Sequence, residues 1–387
     1  IHQKYDELNQ KVFANILNPE KQLIINNIKD YNDEQGLALD EFEISYLEKL
    51  SKKIGRSLTD SEVYGFSQVN SEHCRHKIFN GKFIIDGKEK KESLFDLIKN
   101  TSKANKNGIV SAYSDNVAFI EGPNIVQFQP QFPDKSSFYI NKEIDSIISL
   151  KAETHNFPTT VEPYNGAATG SGGEIRDRAS GGTGSIPLIG SAVYMTPYSR
   201  LDNNKPWEKN ISERIWKYQT PVDILVKASN GASDFGNCFG QPLIVGSLFT
   251  FEHNENNNLQ SYDKVIMLAG GVGFGELSQA MKKTPVKGDI IVLLGGDNYR
   301  IGMGGASVSS TDTGSYNDAI ELNAVQRSNP EMQKRVTNTI RSLFEMDENP
   351  IISIHDHGAG GHLNCFSELV EDIGGEIYLD SLPVGDP

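Results

Sequence analysis

The feature that most constrains this chain is a polar, glycine-rich segment that directly follows an apolar run. Residues 144–150 carry Ile147 and Ile148 at their centre, which predicts a buried strand. K-A-E-T-H-N-F-P follows at 151–158, and G-A-A-T-G-S-G-G-E-I-R-D follows at 166–177. Several ionisable side chains therefore lie where a buried strand ends, which is typical of functional sites.

The glycines of this segment suggest an anion-binding loop. Gly166, Gly170, Gly172 and Gly173 lie close together, and glycine lets backbone N–H groups approach a bulky anion. Neighbouring acids would repel a bare phosphate, but they suit one that carries a divalent cation. We therefore predict a site for a metal-bound polyphosphate, most simply Mg-ATP. A flexible surface turn is the alternative.

The two common phosphate-binding patterns do not fit. A Walker loop needs a Lys directly after its glycines, and none follows here. Gly271, Gly273 and Gly275 come near the dinucleotide-binding pattern, but their spacing differs from it.

Two further motifs flank the glycine-rich segment. N-S-E-H-C-R-H-K-I-F-N-G occupies 70–81, and I-S-I-H-D-H-G-A-G-G occupies 352–361. Taken in order with 151–177, they resemble phosphoribosylformylglycinamidine synthase of the large, single-chain type, an enzyme family of purine biosynthesis. The resemblance covers nearly the whole chain and thins before about Leu37.

Composition limits the partners and the compartment. The 387 residues carry a net charge of −14 and no long basic run, so nucleic acid is not an expected partner. Three cysteines without a C-x-x-C pair favour a reducing cytoplasm. No signal peptide or membrane-spanning run is found. The chain begins with Ile and stops at L-P-V-G-D-P, so we expect a piece of a longer polypeptide.

Local patterns predict a mixed α+β fold with layers of helices and strands. Asp40 with Glu43, and Thr59 with Glu62, form capping-box patterns that start two helices, the first ending at Gly55. Further helices are predicted at 5–16, 93–99, 211–229 and 329–346. Strands are predicted from residue 77 onwards, with turns at 80–81 and 86–87, and then at 117–120, 125–128, 186–195, 243–251, 264–269, 290–294, 351–354 and 376–379.

The resemblance implies one half of a two-half architecture, each half like aminoimidazole ribonucleotide synthetase. We predict a helical linker region at 1–76, a strand-rich ATP and substrate domain at 77–286, and a truncated second domain at 287–387. The family's E-S-Q substrate loop, second half and glutaminase domain are expected outside this chain. Because the strand-rich domain normally packs against that second half, we expect the chain to self-associate.

The resemblance also implies the reaction. Formylglycinamide ribonucleotide, ATP and glutamine give the amidine, ADP, phosphate and glutamate, through an iminophosphate. His73 and His155 match the family's catalytic histidines, and imidazole suits proton transfer near neutral pH. A polar histidine at a helix end is the alternative for each.

Nucleotide and metal contacts follow from the same match. His76 and Lys151 match nucleotide contacts, although a Lys at a strand end is otherwise an ordinary solvated charge. Glu153, Asp177 and Asp356 match Mg²⁺ ligands, which are hard oxygen donors. With the glycine-rich segment, the predicted ATP site comprises His76, Lys151, Gly166, Ala167, Ala168, Thr169, Gly170, Ser171, Gly172, Gly173, Glu174, Ile175, Arg176 and Asp177. Glu174 could equally cap the helix.

The predicted substrate contacts are Thr154, His155, Asn156, Phe157 and Arg176. Some relatives have His at the position of Phe157, and a phenyl ring cannot replace its hydrogen bonds. Arg176 could bind a substrate phosphate with two hydrogen bonds. Its alternative is a salt bridge to Asp177 or Glu174.

Other nucleophile and metal hypotheses remain open. Cys74 adjoins His73, but sequence adjacency does not bring two side chains together, so a structural thiol is favoured. His355, His357 and His362 raise the possibility of zinc.

Two rival functions also remain open. One is aminoimidazole ribonucleotide synthetase or another ATP-using relative, which the motif at 70–81 and its preceding helices disfavour. The other is a non-catalytic nucleotide-binding half, which the joint presence of His73, His155 and Glu153 disfavours.

Overall fold

A computed structural model describes residues 21–201, 205–209, 211–378 and 381–385. The helix predicted at 5–16 lies outside these residues. No helix in the described part of the chain is long and apolar enough to cross a membrane.

The N-terminal region is a small helical unit. It contains β1 (Ile24–Ile25), α1 (Ile28–Gln35), α2 (Glu41–Ile54), β2 (Leu58–Thr59) and α3 (Asp60–Val69). Both predicted capping boxes are present, at the starts of α2 and α3, and Gly55 ends α2 with a φ of 74°. These caps satisfy the free N–H groups of each first turn. The apolar faces of the helices meet in a core built around Leu37, Leu47 and Val63.

A short connecting region follows. It consists of α4 (His76–Phe79), a hairpin of β3 (Ile84–Ile85) and β4 (Lys88–Glu89), and α5 (Leu94–Ala104). The predicted turn at Asp86 and Gly87 is confirmed, and both residues have positive φ. The prediction that strands begin at residue 77 is wrong, because residues 76–79 close a helical turn ending at Asn80.

A six-stranded sheet forms the centre of the chain. Its strands are β5 (Ile109–Ser111), β6 (Ala118–Pro130), β7 (Tyr139–Thr154), β8 (Ile186–Thr196), β9 (Leu243–Thr250) and β12 (Ile266–Glu276), in the order β5-β6-β7-β12-β8-β9. Only the β8–β9 pair is parallel among these neighbours. A separate hairpin of β10 (Glu252–Glu255) and β11 (Asn258–Ser261) follows β9.

The sequence predicts that the strands at 117–120 and 125–128 pair around a turn at Gly122 and Pro123, but they do not pair with each other. They are the two ends of β6, and both pair with β7. The register shifts between Glu121 and Asn124, where Gly122 and Pro123 intervene. Proline lacks an N–H for the hydrogen-bond ladder, so Gly122 and Pro123 form an irregularity inside one strand instead of a turn.

Three helices pack beside this sheet and carry the glycine-rich segment. They are α6 (Asn156–Val161), α7 (Pro163–Ala179) and α8 (Pro221–Phe239). The helix predicted at 211–229 begins ten residues late, because Thr220 caps it and Pro221 takes its first position. A Cβ at Gly172 would lie 2.7 Å from the Phe235 ring, so α7 and α8 approach closely only through glycine.

The last part of the chain is helical and irregular. After a short 3₁₀ turn (Leu277–Gln279) come α9 (Gly305–Val308), α10 (Asp318–Asn323), α11 (Pro330–Phe344) and α12 (His362–Leu369). The helix predicted at 329–346 is confirmed. The strands predicted at 290–294, 351–354 and 376–379 do not form in their described residues. Ile290, Ile291 and Val292 are exposed and line a cavity of 1590 Å³.

The mixed α+β fold class with a helical region at the N-terminus is confirmed. The boundaries at 76/77 and 286/287 stay a prediction.

We expect Gly166→Ala to lower the free energy of unfolding by about 1–3 kcal/mol, as overpacked sites do. A Cβ there would overlap the backbone carbonyl of Pro158. Gly173→Ala in the same helix is the matched control, because its Cβ would meet nothing nearer than 3.7 Å. Urea unfolding of both variants checks this, and equal stabilities would contradict it.

Candidate functional site

The end of β7 and the last turns of α7 bring the predicted charged residues together. Lys151 and Glu153 are two residues apart on β7, so their side chains lie on the same face of the strand. The Lys151 Nζ lies 2.5 Å from Asp177 Oδ2 and 3.2 Å from Glu153 Oε2. Burial opposes the Lys151 charge, but the two carboxylates outweigh it and raise the pKa of this ammonium.

A second ion pair lies beside the first. Arg176 donates from Nε to Asp356 Oδ2 at 3.1 Å and from Nη1 to Gln333 Oε1 at 3.3 Å. Gln333 in turn donates to the Gly172 carbonyl at 2.9 Å. Arg176 therefore pairs with Asp356, and neither of the predicted partners, Asp177 and Glu174, holds it.

The predicted metal ligands do not form a three-carboxylate cluster. No three His, Cys, Asp or Glu side chains come together as a metal site in the part of the chain that the structure describes. Glu153 and Asp177 instead share Lys151, while Asp356 pairs with Arg176. Burial, together with the nearby carboxylates of Asp356 and Glu153, raises the pKa of Asp177 well above its ordinary value.

His155 is held in one tautomer. Its Nδ1 lies 2.5 Å from the Gly166 carbonyl oxygen, which can only accept, so Nδ1 carries the proton. Burial lowers the pKa of the imidazole to about 4 and leaves it neutral at pH 7. Gly170 makes room for the ring, since a Cβ there would lie 2.9 Å from the His155 Cβ. Nε2 is thus left as a proton acceptor.

His73 reaches the same region from the helical unit. It follows α3, and its Nδ1 lies 2.8 Å from the Ser309 Oγ. Burial lowers the pKa of its imidazole, and the charges of Glu153 and Lys151 act on it. The structure thus brings His73 and His155 to one site with Glu153 and Lys151.

The prediction of a glycine loop that cradles phosphate is wrong. Residues 163–179 form a helix, so the N–H groups inside it are engaged in helical hydrogen bonds. The segment is not a surface turn either. Its buried residues pack in the interior: Gly166, Ala167, Ala168, Thr169, Gly170, Ser171, Gly172, Glu174 and Ile175. The glycines therefore serve close packing, at His155 and against α8.

Glu174 lies in the core and does not cap the helix. Arg178 donates to it at 2.8 Å through Nε, and Gln241 donates to it at 2.6 Å. Both members of this ion pair are almost fully buried. Both oxygens of Glu174 are thus engaged inside the protein, and its predicted contact with ATP stays a prediction.

The remaining predicted contacts divide into accessible and buried groups. Thr154 is exposed at the end of β7, and Asn156 Oδ1 accepts from the Met267 N–H at 3.1 Å. Phe157 is 2% exposed and packs with Val161 and Val308, so it is a core residue. His76 is exposed on α4 and makes an edge contact with Phe95.

The alternative nucleophile and metal residues have other contacts. Desolvation and the nearby Glu153 raise the pKa of the Cys74 thiol, which disfavours the reactive thiolate. His357 and His362 hydrogen-bond each other at 2.9 Å, and His362 donates from Nε2 to the Pro383 carbonyl at 3.1 Å. His355 instead lies 3.1 Å from the Ser353 hydroxyl.

Gln333 and Ser309 contact Arg176 and His73 but are not predicted by the sequence motifs. Neither belongs to a recognisable motif, and each lies more than 150 residues from its partner. Only the assembled fold brings them to the site.

Comparison with known proteins identifies two domains. Residues 28–77 match the formylglycinamide ribonucleotide amidotransferase linker domain, and residues 286–387 match the C-terminal domain of AIR synthase related proteins. A phosphoribosylformylglycinamidine synthase of Dictyostelium discoideum is 39% identical over 363 residues, which is 92% of this chain and 27% of the relative.

Solved structures show the same fold. Thermotoga maritima PurL complexed with FGAR is similar with a TM-score of 0.55 and 24% identity, over 89% of this chain and 44% of PurL. PurL of the same organism complexed with ATP gives a TM-score of 0.51 and 22% identity, over 89% of this chain and 43% of PurL. The chain thus spans less than half the length of these relatives.

The chain thus has an AIR-synthase-like fold with a region that matches an amidotransferase linker domain. Among proteins with this fold, the chain is a relative of the phosphoribosylformylglycinamidine synthases, and the resemblance inferred from the three motifs is confirmed.

We expect Asp177→Asn to stabilise the metal-free chain at pH 7. Its folded-state pKa exceeds the unfolded value of about 3.9, so ionisation of this carboxyl costs stability as the pH rises above that value. The gain should exceed about 0.5 kcal/mol, the usual range of surface substitutions, and should vanish towards pH 3. Thermal unfolding from pH 3 to 7 checks this.

Asp134→Asn is the control, because Asp134 is exposed. A loss of stability at pH 7 in the Asp177 variant alone would show that the ion pair with Lys151 outweighs the burial of the carboxyl.

Proposed function

We propose that the polypeptide carrying this chain converts formylglycinamide ribonucleotide to formylglycinamidine ribonucleotide in purine biosynthesis. The observation that carries this proposal is the meeting of two histidines of lowered pKa, His73 and His155, with paired cations and carboxylates. The 39% identity to a curated phosphoribosylformylglycinamidine synthase supports it.

The chemistry requires activation of an amide oxygen. That oxygen attacks the γ-phosphorus of ATP, ADP leaves, the amide nitrogen releases its proton, and an iminophosphate forms. Ammonia then adds to the imidate carbon, inorganic phosphate departs with the original oxygen, and one ammonia proton must be accepted. Glutamine hydrolysis supplies the ammonia in our proposal, from a glutaminase domain beyond this chain.

His155 suits the role of proton acceptor in the second step. Its Nδ1–H is engaged by the Gly166 carbonyl, so Nε2, on the opposite side of the ring, is the nitrogen that can receive a proton. His73 suits orientation or deprotonation of the ammonia, or stabilisation of charge, in the same step. A general base of this kind is worth about 10²–10⁴ in rate.

The two cations suit phosphate groups. Lys151 can contact the nucleotide phosphates, and Arg176 can offer its planar guanidinium to a substrate phosphate. We propose that Glu153 and Asp177 would hold Mg²⁺ when ATP is bound. Their hard oxygen donors suit this ion, and it would supply neutralisation of phosphate charge.

The proposed setting is the cytoplasm, which suits three cysteines without a disulfide.

The runner-up function is a nucleotide-binding scaffold, and it would need no proton acceptor. The neutral His155 therefore favours the catalytic half.

We expect phosphate release from ATP by the complete polypeptide when ammonium replaces glutamine and formylglycinamide ribonucleotide is present. Release with the amidine product alone would assign the ring-closing relative, and release with neither from a folded enzyme would favour the scaffold.

His73→Ala and His155→Ala should each lower kcat by about 10²–10⁴, because each removes a proton-handling group. His253→Ala is the matched control, since His253 lies on the exposed hairpin strand β10. Full turnover in both site variants would refute the catalytic assignment.

Self-association of the isolated chain also stays a prediction. The sheet carries exposed apolar side chains that include Val126, Phe128, Tyr139, Val245 and Phe249. Such a surface typically packs against protein.

We expect light scattering to show a dimer at high concentration and Phe128→Lys to weaken it. Phe42→Lys, on α2 and 87% exposed, should leave it unchanged. A monomer at every concentration would contradict the prediction.

A further inference from the structure

His73 meets a hydroxyl from a distant part of the chain. Ser309 follows α9, 236 residues after His73, and its Oγ lies 2.8 Å from the His73 Nδ1. No other side-chain hydrogen bond of His73 is found within the described residues. The orientation of this ring therefore depends on a group outside the three motifs.

The hydroxyl has a second partner that decides the direction of the bond. Ser309 Oγ lies 3.3 Å from the Ala306 carbonyl oxygen, which can only accept. If the hydroxyl donates to that carbonyl, its oxygen accepts from His73 Nδ1–H, and both hydrogen bonds form. If it donates to His73 instead, it cannot also donate to Ala306. The arrangement with both bonds places the proton on Nδ1.

Two buried contacts hold Ser309 and His73 at this distance. Gln68 on α3 donates to Ser307 Oγ at 2.9 Å and accepts from the Ser307 N–H at 3.3 Å. Both residues are 1% exposed. These contacts join the helix before His73 to the helix before Ser309. The two side chains therefore cannot separate without breaking the two buried hydrogen bonds between Gln68 and Ser307.

A charged group fixes the backbone of the same turn. Lys264 donates to the carbonyls of Ser309 and Thr311 at 3.3 and 3.2 Å. A cation suits the free carbonyls at the end of a helix. Ser309 is thus placed by packing and charge together.

We propose that Ser309 is a positioning residue that holds His73 as the Nδ1–H tautomer and leaves Nε2 as its proton acceptor. His73 then matches His155, whose Nδ1–H is fixed by a carbonyl. The catalytic meaning of this tautomer rests on the proposed function, whereas the tautomer itself does not.

The test is ¹⁵N NMR of the chain with labelled histidine at neutral pH. We expect His73 to show a protonated Nδ1 and an unprotonated Nε2, with His155 as an internal reference for that pattern. His73→Gln and His155→Gln assign the two signals. An Nε2–H signal from His73 in the native chain would overturn the proposal without any Ser309 variant.

Ser309→Ala should shift His73 towards Nε2–H or a mixture, and Ser309→Thr should restore the native pattern. Ser310→Ala is the matched control, because its hydroxyl also bonds to the Ala306 carbonyl, at 2.8 Å, but does not contact His73. An unchanged His73 spectrum in a folded Ser309→Ala chain would also overturn the proposal.

Turnover separates this proposal from the proposed function. In the complete polypeptide, Ser309→Ala should lower kcat about 10-fold with little change in KM, a part of the 10²–10⁴ that a general base contributes. If the native enzyme lacks this activity while the spectra are as expected, the proposed function fails and the assigned tautomer stands.

Discussion

The placement of the site depends on a buried ion pair inside α7. Glu174 and Arg178, one helical turn apart, are almost fully buried, and Gln241 also donates to Glu174. Removing one partner of such a pair leaves an uncompensated charge and typically costs about 3–5 kcal/mol. Because Gln241 precedes β9, the pair ties α7 to the sheet. Asp177 lies between Glu174 and Arg178 in the last turn of α7. It is thereby held against the end of β7, where it forms an ion pair with Lys151.

Much of the site could be predicted from sequence, because its charged residues stand in three contiguous motifs. Lys151 and Glu153 lie in the last residues of β7, and His155 follows it. The apolar pattern of that strand is plain, so their place at its end was predictable. The caps of α2 and α3 were predictable for the same local reason, since a capping box spans four residues. In these places the information lies within one element of the fold.

The glycines of α7 could not be interpreted from sequence alone. Glycine permits both a loop that approaches an anion and a helix that approaches another backbone, and only the partner distinguishes them. That partner is Pro158 for Gly166 and Phe235 for Gly172, and both are tertiary contacts. Apolar runs such as 290–294 were misjudged for a related reason. A strand forms only when another strand accepts its hydrogen bonds, and the described residues supply none there.

The close contact of α7 with its neighbours limits what can be inferred about activity from the sequence of this helix. At Gly166, Gly170 and Gly172 the next atoms are backbone, an imidazole and a phenyl ring, so a side chain of any kind is excluded by volume. These positions are constrained by architecture before any chemistry is considered. A chain of the same fold that catalyses a different reaction would need the same glycines. Activity is therefore better inferred from the histidines and charged residues around this helix than from its small residues.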